Sequence, residues 1–280
     1  MIKLPLVFLF GLLLLVLPVP AAINIVLDYG ATSQADIDAY GAEFSAAEAF
    51  WESRLTGYRD SGIAAPGQMV IKVELGNIDG PSGILGQAGP TFGNFLGNFV
   101  EATQGEMKFD TSDLPSLVQN GTFETVIRHE MGHVLGFGAL WTYNGVYQNG
   151  TGQYTGAAGL AAFKEEFNQP NATYVPVELD GGPGTEDGHW NMGINLGVHE
   201  RADSRDDPGD SIIYTSVNNG EYLFNELMSG FLTGSAWLSN TTLQSLYDIG
   251  FTVVPEPAAY ALCLSLACLL RGVIRRKRDA

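Results

Sequence analysis

The chain predicts an α+β fold, in which a twisted mixed sheet is backed by two helices and followed by an irregular C-terminal lobe. Three observations carry this. Short strand-like runs recur at 23–29, 69–75 and 105–110; two stretches, 36–55 and 122–135, repeat their apolar residues at helical spacing; and the elements follow the order strand, helix, strands, helix.

Residues 23–29 (INIVLDY) form an unbroken apolar run suited to a buried strand. Residues 36–55 show helical spacing through Ile37, Tyr40, Phe44, Ala47, Phe50 and Trp51. Residues 69–75 (MVIKVEL) alternate as a strand does, and Gly76, Asn77, Asp79, Gly80, Pro81 and Gly83 punctuate its end. The glycine-rich passage 83–97 holds a further strand around 87–92, and 105–110 (GEMKFD) is another. Residues 122–135 form the second helix, with Thr122 as N-cap and Glu124 in the first turn, where the helix dipole favours an acid. Its stripe of Phe123, Ile127, Met131 and Val134 is expected to bury against the sheet. Residues 157–167 (AAGLAAFKEEF) are helical in pattern, and 243–251 (LQSLYDIGF) is a further apolar segment. The chain has no internal repeat and no nucleotide-binding glycine motif.

Neither end belongs to this body. Met1 and Lys3 precede the apolar run 4–17, and Val19, Pro20 and Ala21 offer small residues for cleavage, so residues 1–21 read as an export signal cut after Ala21 or Ala22. At the other end Pro255-Glu256-Pro257, the apolar stretch 258–270 and Arg271, Arg275, Arg276, Lys277 and Arg278 follow one another. This order resembles the PEP-CTERM sorting signal of Gram-negative bacteria, which an exosortase recognises and removes. The resemblance covers 254–280. It implies an exported protein of the cell envelope, outer surface or extracellular matrix, attached to the membrane through its tail for a time or permanently. The organisation expected is a signal peptide (1–21), a domain at 22–253 in lobes 22–137 and 138–253, and the tail (254–280).

The only cysteines, Cys263 and Cys268, sit in the tail, so the exported body carries no disulfide. Residues 22–256 keep 8 of the 14 basic and 30 of the 31 acidic residues, a net charge of −22. Such an acidic surface excludes nucleic acid as the partner and leaves calcium open.

The second helix carries the chemistry. In RHEMGHVLGFGAL (128–140), His129 and His133 stand on one helical face and Glu130 is rotated by about 100° to flank them. That spacing lets two imidazoles share one zinc ion while the carboxylate reaches the water in the open position. Gly136 can take the left-handed conformation that ends a helix and turns the chain beneath the site. The longer metzincin pattern places its third histidine at 139, which here is Ala139. Two histidines remain, His189 and His199. A thermolysin-type alternative draws the third ligand from Glu165 or Glu166; the plainer reading of that pair is a solvated helix face.

The order of the later motifs resembles the leishmanolysin-like metzincins, bacterial branch. They keep HExxHxxGF on the helix, supply the third histidine as His-Trp after an insertion, set the methionine of their Met-turn in Glu-Leu-Met, and close with a helix ending near Asp-x-Gly-Phe. The matching residues are His129, Glu130, His133, Gly136, Phe137, His189, Trp190, Glu226, Leu227, Met228, Asp248, Gly250 and Phe251. The resemblance runs from about 122 to 252. It implies a zincin fold, one zinc ion held by His129, His133 and His189, Glu130 as general base, and Met228 as an apolar floor. His199 stays as an alternative third ligand.

Trp141, Tyr143, Tyr147 and Tyr154 either rim a cleft or pack the long insert, with packing preferred. Asp203, Asp206, Asp207 and Asp210 match no EF-hand spacing and read as a solvated acidic loop in preference to a calcium site. Sequons at Asn120, Asn149, Asn171 and Asn240 carry no weight in a bacterial chain. The function expected is an exported zinc endopeptidase acting on protein or peptide, the alternative a surface or matrix binding protein with a structural zinc.

Overall fold

A computed structural model describes residues 23–30, 32–59, 68–191, 213–231, 234 and 236–254. The export signal at 1–21, the tail from 255 onwards, His199 and the acidic loop of Asp203, Asp206, Asp207 and Asp210 lie outside the described residues.

The elements in chain order are β1 (Ile25–Asp28), α1 (Gln34–Glu52), β2 (Leu55–Tyr58), β3 (Met69–Gly76), β4 (Gly86–Leu96), β5 (Phe99–Asp110), α2 (Leu114–Gln119), α3 (Phe123–Val134), β6 (Gln153–Tyr154), α4 (Ala157–Glu166), β7 (Val175–Pro176), α5 (Asn240–Asp248) and β8 (Phe251–Val253), with a 3-10 turn at Leu223–Asn225. The architecture is mixed α+β. A four-stranded sheet runs in the order β1-β3-β5-β4. Its first three strands are parallel, with Ile25 opposite Met69 and Val70 opposite Gln104, and β4 lies antiparallel at the edge. Pro90 and three glycines sit within β4, where an edge strand tolerates a missing donor, and the pairing slips between Pro90 and Phe92.

Alternation along the strands decides which face is covered. Ile71, Val73, Met107 and Phe109 point to the helices and are buried, whereas Lys72, Glu74 and Lys108 point away. The Lys108–Glu74 ion pair on that open face, at 3.2 Å, is solvated and adds little to stability. On the covered face Phe44 of α1, Phe109 of β5 and Phe123 of α3 meet edge to face, with ring centroids 5.4 to 5.7 Å apart. Burial of each ring contributes about 2 to 3 kcal/mol. The predicted stripe of Phe123, Ile127, Met131 and Val134 is buried as expected. Helix α3 rides close to the sheet because residue 105 is glycine: a β-carbon there would collide with Val134 and with the carbonyl oxygen of Gly89.

Several boundaries differ from the sequence reading. Helix α1 starts at Gln34, because Ser33 caps it by accepting the Asp36 N–H. Thr122 caps nothing: its backbone is already helical, and its hydroxyl donates to the Leu117 carbonyl, since α2 runs directly into this corner. Glu124 pairs with Arg128 one turn on. Strands β4 and β5 are each about twice as long as predicted, and glycines hide the alternation of β4.

The largest correction concerns Glu166, which is 3% exposed and far from a solvated face. It lies at the end of α4 and accepts the Asn240 and Thr241 N–H groups at 3.0 and 2.9 Å and the Thr241 hydroxyl at 2.7 Å, capping α5. Asp248, at the end of α5, returns the contact. It accepts the Ala158 and Gly159 N–H groups at 2.9 and 2.8 Å, capping α4, and the Tyr154 hydroxyl at 2.9 Å. Each helix thus places an anion at the positive end of the other. Glu166→Gln turns one carboxylate oxygen into a donor facing buried donors. The expected cost is about 2 to 3 kcal/mol, read as a melting temperature lowered by roughly 5–10 °C.

Candidate metal centre

Three side chains from two distant stretches meet at one point. The Nε2 atoms of His129 and His133, on α3, lie 3.1 Å apart, and that of His189, in the loop after β7, lies 3.1 and 3.0 Å from them. These three residues lie close enough together to hold a metal ion. His199 lies outside the described residues. Glu165 stays exposed on α4 and Glu166 is committed to capping α5, so neither joins the histidines.

The ring orientations explain why the three nitrogens converge. Each Nδ1 faces a backbone carbonyl: His129 that of Leu227 at 2.7 Å, His133 that of Phe137 at 3.1 Å, and His189 that of Thr185 at 2.8 Å. A carbonyl only accepts, so each Nδ1 carries the proton and each Nε2 presents a lone pair. Burial lowers the pKa of all three, that of His189 to about 3, which keeps the rings neutral. Three lone pairs turned on one another within 3.1 Å repel unless a cation lies among them. Tetrahedral zinc–nitrogen bonds of about 2.05 Å place such atoms roughly 3.3 Å apart, so the donor set fits that ion with a slight expansion.

Local sequence builds each part. Gly136 has φ +104°, as expected of a left-handed helix end. The turn brings the Phe137 N–H to the Gly132 carbonyl at 3.1 Å and the Phe137 carbonyl back to His133. Met228 is fully buried against Gly132, where an added β-carbon would lie 2.6 Å from its sulfur. The His189 loop is held by Asp187, which accepts the Tyr147 hydroxyl and the Gly150 N–H, the latter at 2.7 Å. Beneath the site Trp141, Tyr147 and Tyr154 are buried with Trp190, as the packing reading required. Tyr143 alone of the four insert aromatics is exposed, at 70%, and it stands on the cleft wall.

Glu130 is 6% exposed, and burial raises its carboxyl pKa to about 8. It packs against the start of the edge strand: a β-carbon at Gly86 would sit 2.6 Å from Oε1, so glycine there makes room for the carboxylate. A cleft of about 1310 Å³ runs over the three histidines, between Gly86–Ala88 of β4 and the loops at 181–189 and 226–231. No lysine or arginine lines it among the described residues. The arrangement offers three converging ring nitrogens, a buried carboxylate and the start of an edge strand, all lining one cleft.

Two contributions escaped sequence reasoning. Gly86 carried no signal beyond its glycine-rich surroundings. The backbone carbonyls that orient the rings have no residue-type signature at all. No family model matches the chain, and no curated protein matches it.

Proposed function

We propose that the protein is a zinc-dependent endopeptidase of the metzincin type, similar to the leishmanolysin-like branch, with His129, His133 and His189 as ligands and Glu130 as general base. The observation that carries this reading is the conjunction of three converging Nε2 lone pairs with a buried carboxylate in an open cleft. A purely structural ion has no use for a base at its side, and closed structural sites take four protein ligands.

Zinc, when bound, supplies Lewis acidity that lowers the pKa of a coordinated water to about 7 and polarises a carbonyl. The chain's own residues do the rest. Glu130 would accept a proton from the attacking water and return it to the leaving amine. The outer edge of β4 offers unpaired backbone groups beside the site, to which an extended polypeptide pairs as an added strand. In this reading the protein works outside the cytoplasmic membrane, where the motifs at 1–21 and 254–280 send it, and an exosortase-type enzyme processes its tail.

Casein incubated with the full-length protein tests the proposal. Cleavage is expected, with loss on adding a chelator and return on adding zinc. Zinc-loaded protein that leaves casein intact but adheres to surfaces or matrix overturns it in favour of a binding protein.

A further inference from the structure

The Leu227–Met228 peptide group is gripped from both sides. Its carbonyl faces Nδ1 of His129 at 2.7 Å, and its N–H donates to Oε2 of Glu226 at 2.6 Å. Glu226 is 1% exposed, and its other oxygen is equally committed. Oε1 accepts the Ser239 N–H and hydroxyl, both at 3.0 Å, and the Thr242 hydroxyl at 2.7 Å. Thr242 in turn accepts the indole N–H of Trp190 at 2.8 Å, and Trp190 is the residue after His189.

We propose that Glu226 is the outer anion of the metal centre, acting on His129 through the Leu227–Met228 peptide and on the His189 segment through Thr242 and Trp190. Ligating histidines commonly donate their second N–H to a carboxylate, which fixes the ring and strengthens it as a ligand. Here a peptide group is interposed. A carboxylate accepting the N–H end pulls electron density towards the carbonyl end, because hydrogen bonds in a chain polarise one another. The Leu227 carbonyl therefore becomes a better acceptor for the His129 proton, and Nε2 of His129 a better donor to a cation. The second arm holds the loop end that carries His189. One buried carboxylate thus serves ligands that lie 60 residues apart.

Four donors surround the Glu226 carboxyl, as a carboxylate requires. The two N–H groups on Glu226 are fixed donors, and the two hydroxyls complete the set by turning towards it. A glutamine would set its own N–H₂ against one of them.

The inference rests on the metal-site reading, and zinc affinity separates the two. Full-length wild type, Glu226→Gln, Thr242→Val and Glu166→Gln are compared by competition for zinc against a chromophoric chelator, with thermal melting beside it. Glu166 is the control: an equally buried carboxylate on the same helix end with no link to the histidines. Glu226→Gln is expected to bind zinc about 10 to 100-fold more weakly, and Thr242→Val more weakly than wild type by a smaller factor. Glu166→Gln is expected to melt lower with unchanged affinity. As a spectroscopic check, the His129 Nδ1–H proton resonance of the zinc-loaded protein is expected to move upfield in Glu226→Gln. Wild type that takes no zinc removes the metal-site reading itself. Zinc affinity equal to wild type in whichever of the Glu226 and Thr242 variants folds, or a fall no greater than that of Glu166→Gln, overturns the role given to Glu226.

Discussion

Glutamine in place of Glu130 is expected to lower casein cleavage by about 10²–10⁴-fold, the usual share of a general base, while zinc stays bound. The amide matches the carboxylate in size, so it still fits the space that Gly86 leaves, and the stripe of α3 beneath it is untouched. The three Nε2 atoms keep their carbonyl-directed rings, because no contact of Glu130 orients them. What disappears is the ability to accept a proton. The measurement is cleavage rate beside zinc content for wild type and variant. A rate equal to wild type at full zinc occupancy overturns the role given to Glu130.

His189→Ala is expected to weaken zinc binding by more than about 100-fold, beyond the range for loss of an outer partner. His199→Ala is expected to leave it unchanged. The loop around His189 is held by contacts that the substitution spares: Asp187 with Tyr147 and Gly150, the Trp190 N–H on the Met228 carbonyl at 3.1 Å, and the Trp190 indole on Thr242. The lobe therefore keeps its shape while the site drops to two ligands. Zinc content after dialysis, with melting temperature as the fold control, decides it. Zinc lost in His199→Ala and kept in His189→Ala reverses the assignment.

Wherever one helix or strand carried its own pattern, the sequence was legible. Apolar residues at helical spacing marked α1 and α3 within a few residues, and Met69–Gly76 alternated cleanly. The pattern faded where glycine replaced the side chains that would have shown it, along β4, and where buried Glu101 and Thr103 interrupt the apolar alternation, along the first half of β5. The pairing of β2 with β8 could not be read, since Leu55 and Val253 are separated by most of the chain and neither strand exceeds four residues. Glu166 looked solvated because helical spacing says which residues share a face, and nothing about whether another helix presents its N-terminus to that face.

The site divides along the same line. The two helical histidines and the carboxylate proposed as base follow from His129, His133 and Glu130, because the α-helical repeat by itself stacks residues four apart. The resemblance implied His189 as the third ligand, with His199 as the alternative, and the fold brings the ring of His189 against the other two across a separation of 56 residues. The orientation of all three rings depends on carbonyls of Leu227, Phe137 and Thr185, groups that every residue possesses and no sequence pattern marks. The sequence by itself therefore determined the helix and the shared face of its two histidines with the carboxylate beside them, since these rest on local periodicity and side-chain chemistry. Only the tertiary structure showed that His189 meets His129 and His133, that Glu226 grips the Leu227–Met228 peptide and that Glu166 caps a helix, because backbone hydrogen bonds and long-range burial are set by where the chain returns.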